Sequence, residues 1–171
     1  MRLKKNYDEG ITESIGELDR MNGLIQALIR LSSLDEGHNV ERINIQEILE
    51  KLQKNYHEKL QEKHISLAII TKKIPPLRAN REYTEILFSN LLSNAIKYNK
   101  IGGKITITIE EKSIKFQDTG IGIKKENIGK IFDRFYQESS SRDENSFGIG
   151  LSLVELVASI NKWTISVESE E

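Results

Sequence analysis

Residues 90–122, NLLSNAIKYNKIGGKITITIEEKSIKFQDTGIG, decide how the rest of the chain is read. The stretch opens inside a helix. Over residues 81–98, Ile86, Leu87, Leu91 and Ala95 recur at the spacing that stacks side chains on one helical face. After Gly102 and Gly103 the period changes from 3.6 to 2. Ile105, Ile107 and Ile109 alternate with threonines, a short charged turn follows, and Ile114 and Phe116 alternate again. That is a β-hairpin signal. It ends on an aspartate, Asp118, followed by the turn Gly120-Ile121-Gly122. A helix feeding a hairpin, with no regular β-α-β alternation, favours an α+β fold: a two-layer α/β sandwich with a mixed sheet under helices.

Working outward, residues 8–35 read as one long amphipathic helix. Ile11, Leu18 and Ile25 recur every seven residues, and Ile15, Met21, Leu24, Leu28, Ile29 and Leu31 widen the stripe. A face this broad suits a helical bundle, although packing on its own domain is also compatible. Gly37 is placed to end the helix. A second helix is expected from Asn44 to about Lys63, with Ile45, Ile48, Leu49, Leu52, Tyr56 and Leu60 on one face. ISLAII, residues 65–70, reads as a strand, and the prolines of IPPL interrupt it. The polar run QESSSRDENS reads as a loop. GIGLSLVELVASI starts a helix on glycine, and WTISV, residues 163–167, is expected as a final strand.

Composition narrows the classes. The 171 residues are 37% hydrophobic and 30% charged, ordinary for a chain that buries a core, and the net charge is −1. Nothing argues for a general electrostatic grip on nucleic acid or an acidic membrane. With no cysteine there is no disulfide framework and no thiolate metal site. No apolar run approaches the ~20 residues that span a bilayer, and no signal peptide opens the chain, so it is read as cytoplasmic, without membrane contact of its own.

Familiar phosphate loops fail on inspection. Gly103-Lys104 lacks a glycine five positions earlier and a hydroxyl after it, and Gly120-Ile121-Gly122 meets Lys125 where a third glycine belongs. His38, His57 and His64 form no zinc pattern. Four other stretches could carry chemistry. Asn90 and Asn94, four apart, share a helix face, with Lys97 and Tyr98 on the next turn. Amide oxygens are hard neutral ligands suited to Mg²⁺ that keeps phosphate oxygens and waters, but two exposed asparagines are equally read as solvated. Asp118 stands where a carboxylate can accept an exocyclic amino hydrogen of adenine, with Gly120 and Gly122 giving room for a flat base; Asp-Thr-Gly is also a common turn. In IFDRFYQ, Phe132, Phe135 and Tyr136 gather around Arg134, as a site element or as an anchor tying a short helix to the core. In FGIGLSL, Gly148 and Gly150 open a helix whose free N–H groups favour phosphate.

In this order and spacing, NLLSNAIKYN, DTGIGI, IFDRFYQ and GIGLSL resemble the N, G1, F and G2 boxes of the sensor histidine kinases of two-component systems, members of the Bergerat-fold ATPase superfamily. The resemblance covers roughly residues 40–171. It implies an ATP-binding catalytic domain over 38–171, a partial dimerisation and phosphoacceptor hairpin over 1–37, and the cofactors ATP and Mg²⁺. It further implies that Asn94 holds the metal and that Asn90 lies alongside, facing the phosphates. Lys97 and Tyr98 line the phosphate and ribose side. Asp118 selects adenine in a pocket shaped by Gly120, Gly122 and Ile123. Residues 137–147 form a lid, with Arg142 a phosphate contact, and Arg134 and Phe135 stand beside it. Gly148, Ile149, Gly150 and Leu151 hinge that lid and offer amides to the phosphates. The implied partners are a response regulator receiver domain and a second protomer through the hairpin helix, in the cytoplasmic portion of a sensor.

Departures from the family pattern are specific. No histidine here carries the His-Glu/Asp pattern with a following proline. His57-Glu58 lacks that proline and falls between the bundle helix and the ATP motifs, so it reads as a solvated helix residue. The acceptor histidine is therefore expected outside this stretch. Family members continue into a Gly-x-Gly-Thr-x-Phe strand where these residues end at SVESEE, so a final strand is expected to be missing; Phe147 replaces a usual Thr or Ser. The gyrase, mismatch-repair and heat-shock chaperone ATPases carry a glutamate base where Asn90 stands, and serine kinases of the anti-sigma type also keep an acid there. A degenerate domain that only holds nucleotide is the remaining alternative.

Overall fold

The computed structural model describes residues 39–74, 77–137 and 148–170. The expected helix over 8–35, the Gly37 cap, the prolines of IPPL, Arg142, Phe147 and nearly all of the expected lid lie outside the described residues. So does the expected hairpin portion over 1–37.

Two short strands open the described chain. β1 (Glu41–Ile43) pairs antiparallel with β3 (Leu77–Ala79), Glu41 opposite Ala79 and Ile43 opposite Leu77. Between them lie α1 (Ile45–Asn55), α2 (His57–Glu62) and β2 (Ser66–Thr71). Asn44 caps α1, its side-chain oxygen accepting the Gln46 N–H at 3.1 Å while its amide donates to Glu47 at 3.0 Å. Ile45, Ile48, Leu49 and Leu52 are buried, as their spacing predicts.

The single helix expected through Lys63 is two helices. The break sits at Tyr56, which leaves helical geometry (φ −97°, ψ 5°) and brings its hydroxyl 3.0 Å from Ser89 Oγ. α2 then ends in a Schellman turn: His64 N–H donates to Gln61 O and Ile65 N–H to Leu60 O, at 2.9 and 2.8 Å. His64 takes the left-handed position at φ 52°, and Leu60 and Ile65, which flank this turn, are both buried.

α3 (Arg81–Lys97) follows, capped by Asn80 onto the Tyr83 N–H at 2.9 Å. β4 (Lys104–Ile109) and β5 (Ile114–Asp118) are the predicted hairpin, in the predicted register of alternation. The sheet order is β2-β4-β5. β4 runs parallel to β2, Ser66 opposite Lys104, and antiparallel to β5, Ile105 opposite Asp118. As the central strand β4 buries Ile105, Ile107 and Ile109 completely, each contributing about 1.5–3 kcal/mol of apolar transfer. Phe88 of α3 meets Phe116 of β5 with ring centroids 5.6 Å apart, joining the helical layer to the sheet. α4 (Gly150–Ile160) packs beside α3, and its Leu153, Val154, Val157 and Ala158 are buried. The mixed sheet under helices is the expected α+β sandwich.

One expected element is corrected. Residues 163–167 join no strand ladder among the described residues. Trp163, Ile165 and Val167 alternate, but Ile165 is 36% exposed, and the alternation lacks the buried floor that holds a strand in register. Trp163 instead serves α4, donating its N–H to Ala158 O at 2.8 Å past a left-handed Lys162 (φ 58°) in a second Schellman turn.

Candidate functional site

The last two turns of α3 carry Asn90, Asn94 and Lys97 and then deliver Tyr98 and Asn99. Asn90 is half-buried, and its amide donates to Ile86 O at 2.8 Å, which fixes the side chain and leaves its oxygen free to face elsewhere. That oxygen lies against the start of α4: a methyl group added to Gly150 would sit 2.9 Å from Asn90 Oδ1. Gly150 is thus the close-approach point of the two helices. Asn94, one turn on, is half-buried, and Lys97 places its ammonium 5.1 Å from the centroid of the Tyr98 ring. Lys63, reaching over from the end of α2, donates to the carbonyls of Ile96 and Lys97 at 3.0 and 2.6 Å and so caps the final turn of the site helix.

β5 carries Asp118 to the sheet end. One carboxylate oxygen accepts the Gly120 N–H at 2.8 Å, closing a tight side-chain-to-backbone turn, and the exposed carboxylate stands at its mouth. This turn presses on the end of α3. Ile121 N–H donates to Tyr98 O at 3.1 Å, and a methyl on Gly120 would lie 2.5 Å from that same carbonyl. Gly122 follows at φ 74°, in the left-handed region, and Ile123 N–H donates to Ser169 Oγ at 2.9 Å.

From Lys124 the chain makes successive three-residue turns rather than the short helix considered above: Asn127 N–H to Lys124 O, Lys130 to Asn127, Asp133 to Lys130, at 2.8 to 2.9 Å. Phe132 and Tyr136 are half-buried, whereas Arg134 is exposed and Phe135 is 61% exposed at φ 65°. Phe135 N–H donates to Gly148 O at 3.0 Å, so the two ends of the segment 136–147 meet in a backbone clasp. Gly148 itself is left-handed (φ 64°). Ile149 behind it is buried, Leu151 is half-buried, and the first turn of α4 has neither a side-chain cap nor an acidic residue.

The structure therefore brings together Asn90 with Gly150, Tyr98 with Gly120 and Ile121, and Phe135 with Gly148. These residues can offer uncapped helix amides to an anion, amide oxygens to a hard cation and a carboxylate to a hydrogen-bond donor. Among the described residues there is no cluster of three or more His, Asp or Glu to hold a metal. The neutral donors of α3 suit a Mg²⁺ that arrives on phosphates, and do not suit a resident ion. Sequence reasoning missed Asn99 and Lys63 and gave Thr119 no role. None belongs to a periodic pattern; the only signal was that polar residues cluster where α2, α3 and β5 end.

The family described as histidine kinase-, DNA gyrase B-, and HSP90-like ATPase matches residues 79–171. The chain is 29% identical over 175 residues to the heme sensor protein HssS of Staphylococcus saprophyticus, covering 98% of this chain and 37% of that protein. It is 31% identical over 172 residues to the signal transduction histidine-protein kinase ArlS of Staphylococcus epidermidis, covering 95% and 38%. Among solved structures, the catalytic domain of histidine kinase ThkA superposes with a TM-score of 0.62 at 25% identity, over 72% of this chain and 82% of that one.

Proposed function

Since the chain belongs to the histidine kinase-, DNA gyrase B-, and HSP90-like ATPase family, we propose that residues 38–171 bind Mg-ATP as the catalytic part of a sensor histidine kinase. The γ-phosphate goes to a histidine outside these residues, for relay to a response regulator aspartate. The observation that carries the reading is the double contact of α3: its Asn90 oxygen against Gly150, and its Tyr98 carbonyl on the Asp118 turn. One helix thus contacts both the Asp118 turn and the start of α4, which supports reading the carboxylate as the base contact and the helix end as the phosphate contact.

In this reading Asp118 accepts the adenine amino hydrogen, and Gly120, Gly122 and Ile123 make the floor for the ring. Tyr98 lies on the ribose side. The uncapped amides of Gly150 and Leu151 receive phosphate oxygens, Gly148 and Ile149 turn the chain toward them, and Lys97 adds charge. Asn94 holds the metal with Asn90 beside it; bound Mg²⁺ supplies neutralisation of the triphosphate charge. Phe135, Arg134 and Arg142 belong to the lid side. Transfer then rests on positioning and electrostatics. Asn90 also favours transfer to a protein acceptor over hydrolysis, because a neutral carboxamide, unlike a carboxylate at that place, is no general base for water. The partners are a receiver domain and a second protomer, with the catalytic part on the cytoplasmic side. No described helix is long and apolar enough to cross a membrane.

Isothermal titration with Mg-ATP, wild type against Asp118→Asn, tests the core of this. Asparagine keeps an oxygen for the Gly120 N–H, so the turn survives while the charge-assisted bond to the base is lost. That bond is worth ~1.5–3 kcal/mol, a loss of about 10- to 150-fold in ATP affinity. Equal affinity for the two proteins sinks the adenine assignment.

A further inference from the structure

Asn99 is one of three buried polar or charged side chains among the described residues, 7% exposed, and both ends of its amide are engaged. Its oxygen accepts the Thr119 hydroxyl at 3.1 Å and the Lys100 N–H at 3.1 Å; its nitrogen donates to Lys104 O at 3.3 Å. The Thr119 hydroxyl in turn accepts the Lys104 N–H at 2.9 Å, and Thr119 N–H donates to Lys104 O at 3.1 Å. A methyl on Gly103 would overlap the Asn99 amide oxygen, so that glycine is the space the amide occupies. One side chain therefore joins the end of α3, the start of β4 and the residue next to Asp118.

We propose that Asn99 is a positioning residue for base selection: through Thr119 it locks the Asp118 turn to the helix that carries Asn90, Asn94 and Lys97. The inference rests on the ATP reading above. Backbone bonds hold the turn to β4 through Thr119 N–H and Lys104 O, and to the residue after α3 through Ile121 N–H and Tyr98 O. The Asn99–Thr119 bond adds a side-chain link between the Asp118 side of the turn and the end of α3, and that link limits how far the two can shift against each other. A carboxylate aimed in one direction discriminates adenine, which offers an amino donor, from guanine, which offers a carbonyl at that place. A carboxylate free to swing loses part of that discrimination. Buried, satisfied amide networks have the rigidity such a role requires.

The test uses the full 171-residue chain and the ratio of ATP to GTP affinity. Thr119→Val removes the hydroxyl at an exposed position and keeps the shape, so it reports even where Asn99→Ala unfolds. The expected result is an ATP:GTP preference about tenfold lower in Thr119→Val, restored in Thr119→Ser. Asn99→Ala lowers the ratio in the same direction, and the double variant lowers it by less than the two single effects combined, because the Asn99–Thr119 bond is lost in both. An unchanged ratio in folded Thr119→Val, with wild-type binding still sensitive to Asp118→Asn, overturns the positioning role and leaves the ATP reading standing. A wild-type chain that binds neither nucleotide overturns both.

Discussion

Replacing Gly148 by alanine perturbs the clasp that closes the segment 136–147. At φ 64° an alanine incurs the left-handed penalty of about 1–2 kcal/mol. Its Cβ would lie 2.5 Å from Tyr136 O and 2.7 Å from the Phe135 carbonyl carbon. Both are backbone atoms, so no rotamer change relieves the overlap; Gly148 and Phe135 must part, and the bond from Phe135 N–H to Gly148 O, about 0.5–1.5 kcal/mol, goes with them. The sum is ~1.5–3.5 kcal/mol at the clasp. Global unfolding registers less than that, because opening the clasp caps the loss. Expected values are a melting temperature lower by about 4 °C or less and Mg-ATP binding weaker by about 30-fold, ~2 kcal/mol. Gly129→Ala is the control: nothing lies within 4 Å of a Cβ there, so both readings should match wild type. A Gly148→Ala protein that melts and binds ATP like the control would refute the clasp as an element of the site.

Lys63→Met removes the ammonium from the carbonyls of Ile96 and Lys97 and should lower stability by about 1–2 kcal/mol, or ~3–6 °C in melting temperature; an unchanged melt denies the cap its role. Lys162→Gly relieves the left-handed lysine that ends α4 and should raise stability by about 1 kcal/mol, measured by urea unfolding, with a lower midpoint counting against the Schellman assignment. The Lys72 ammonium, first by donating to Glu110 at 2.7 Å and then by its charge, holds that carboxyl below its ordinary range. The stability linked to it is present above the unfolded value and is lost as pH falls through the depressed one. In Lys72→Met the carboxyl should titrate higher by carbon NMR; an unmoved titration removes Lys72 as the cause.

The legibility of each element in the sequence depends on what holds it. β4 and α1 are written in local periodicity, and every apolar position expected of the Ile105, Ile107, Ile109 row and of Ile45, Ile48, Leu49 and Leu52 is buried. On α3 the reading was coarser: Leu92 and Phe88 are buried while Ile86 and Leu91 are half-buried, because α4 and the sheet share that helix between them. β1 and β3, three residues each, pair across a long stretch of intervening chain and leave no period to detect. The Tyr56 break depends on Ser89, and the Asn99 network on Thr119; both are tertiary contacts between residues with no shared pattern. Motif spacing picks out the residues of the candidate site, but the Gly150–Asn90 and Gly120–Tyr98 approaches are tertiary contacts that leave no mark on spacing.

The parallel pairing of β2 with β4 has a consequence for how the site comes into being. Ser66 meets Lys104 across the sheet, so all of α3 lies inside the connection between two neighbouring strands. Its ends are drawn together only when a loop of that length closes, an entropic cost incurred before any contact offsets it. The helix bearing Asn90 and Asn94 is therefore not a separable peptide with a site on it. In hydrogen exchange, the amides of α3, β2 and β4 should open as one cooperative unit, and binding competence should appear in refolding when those strands pair.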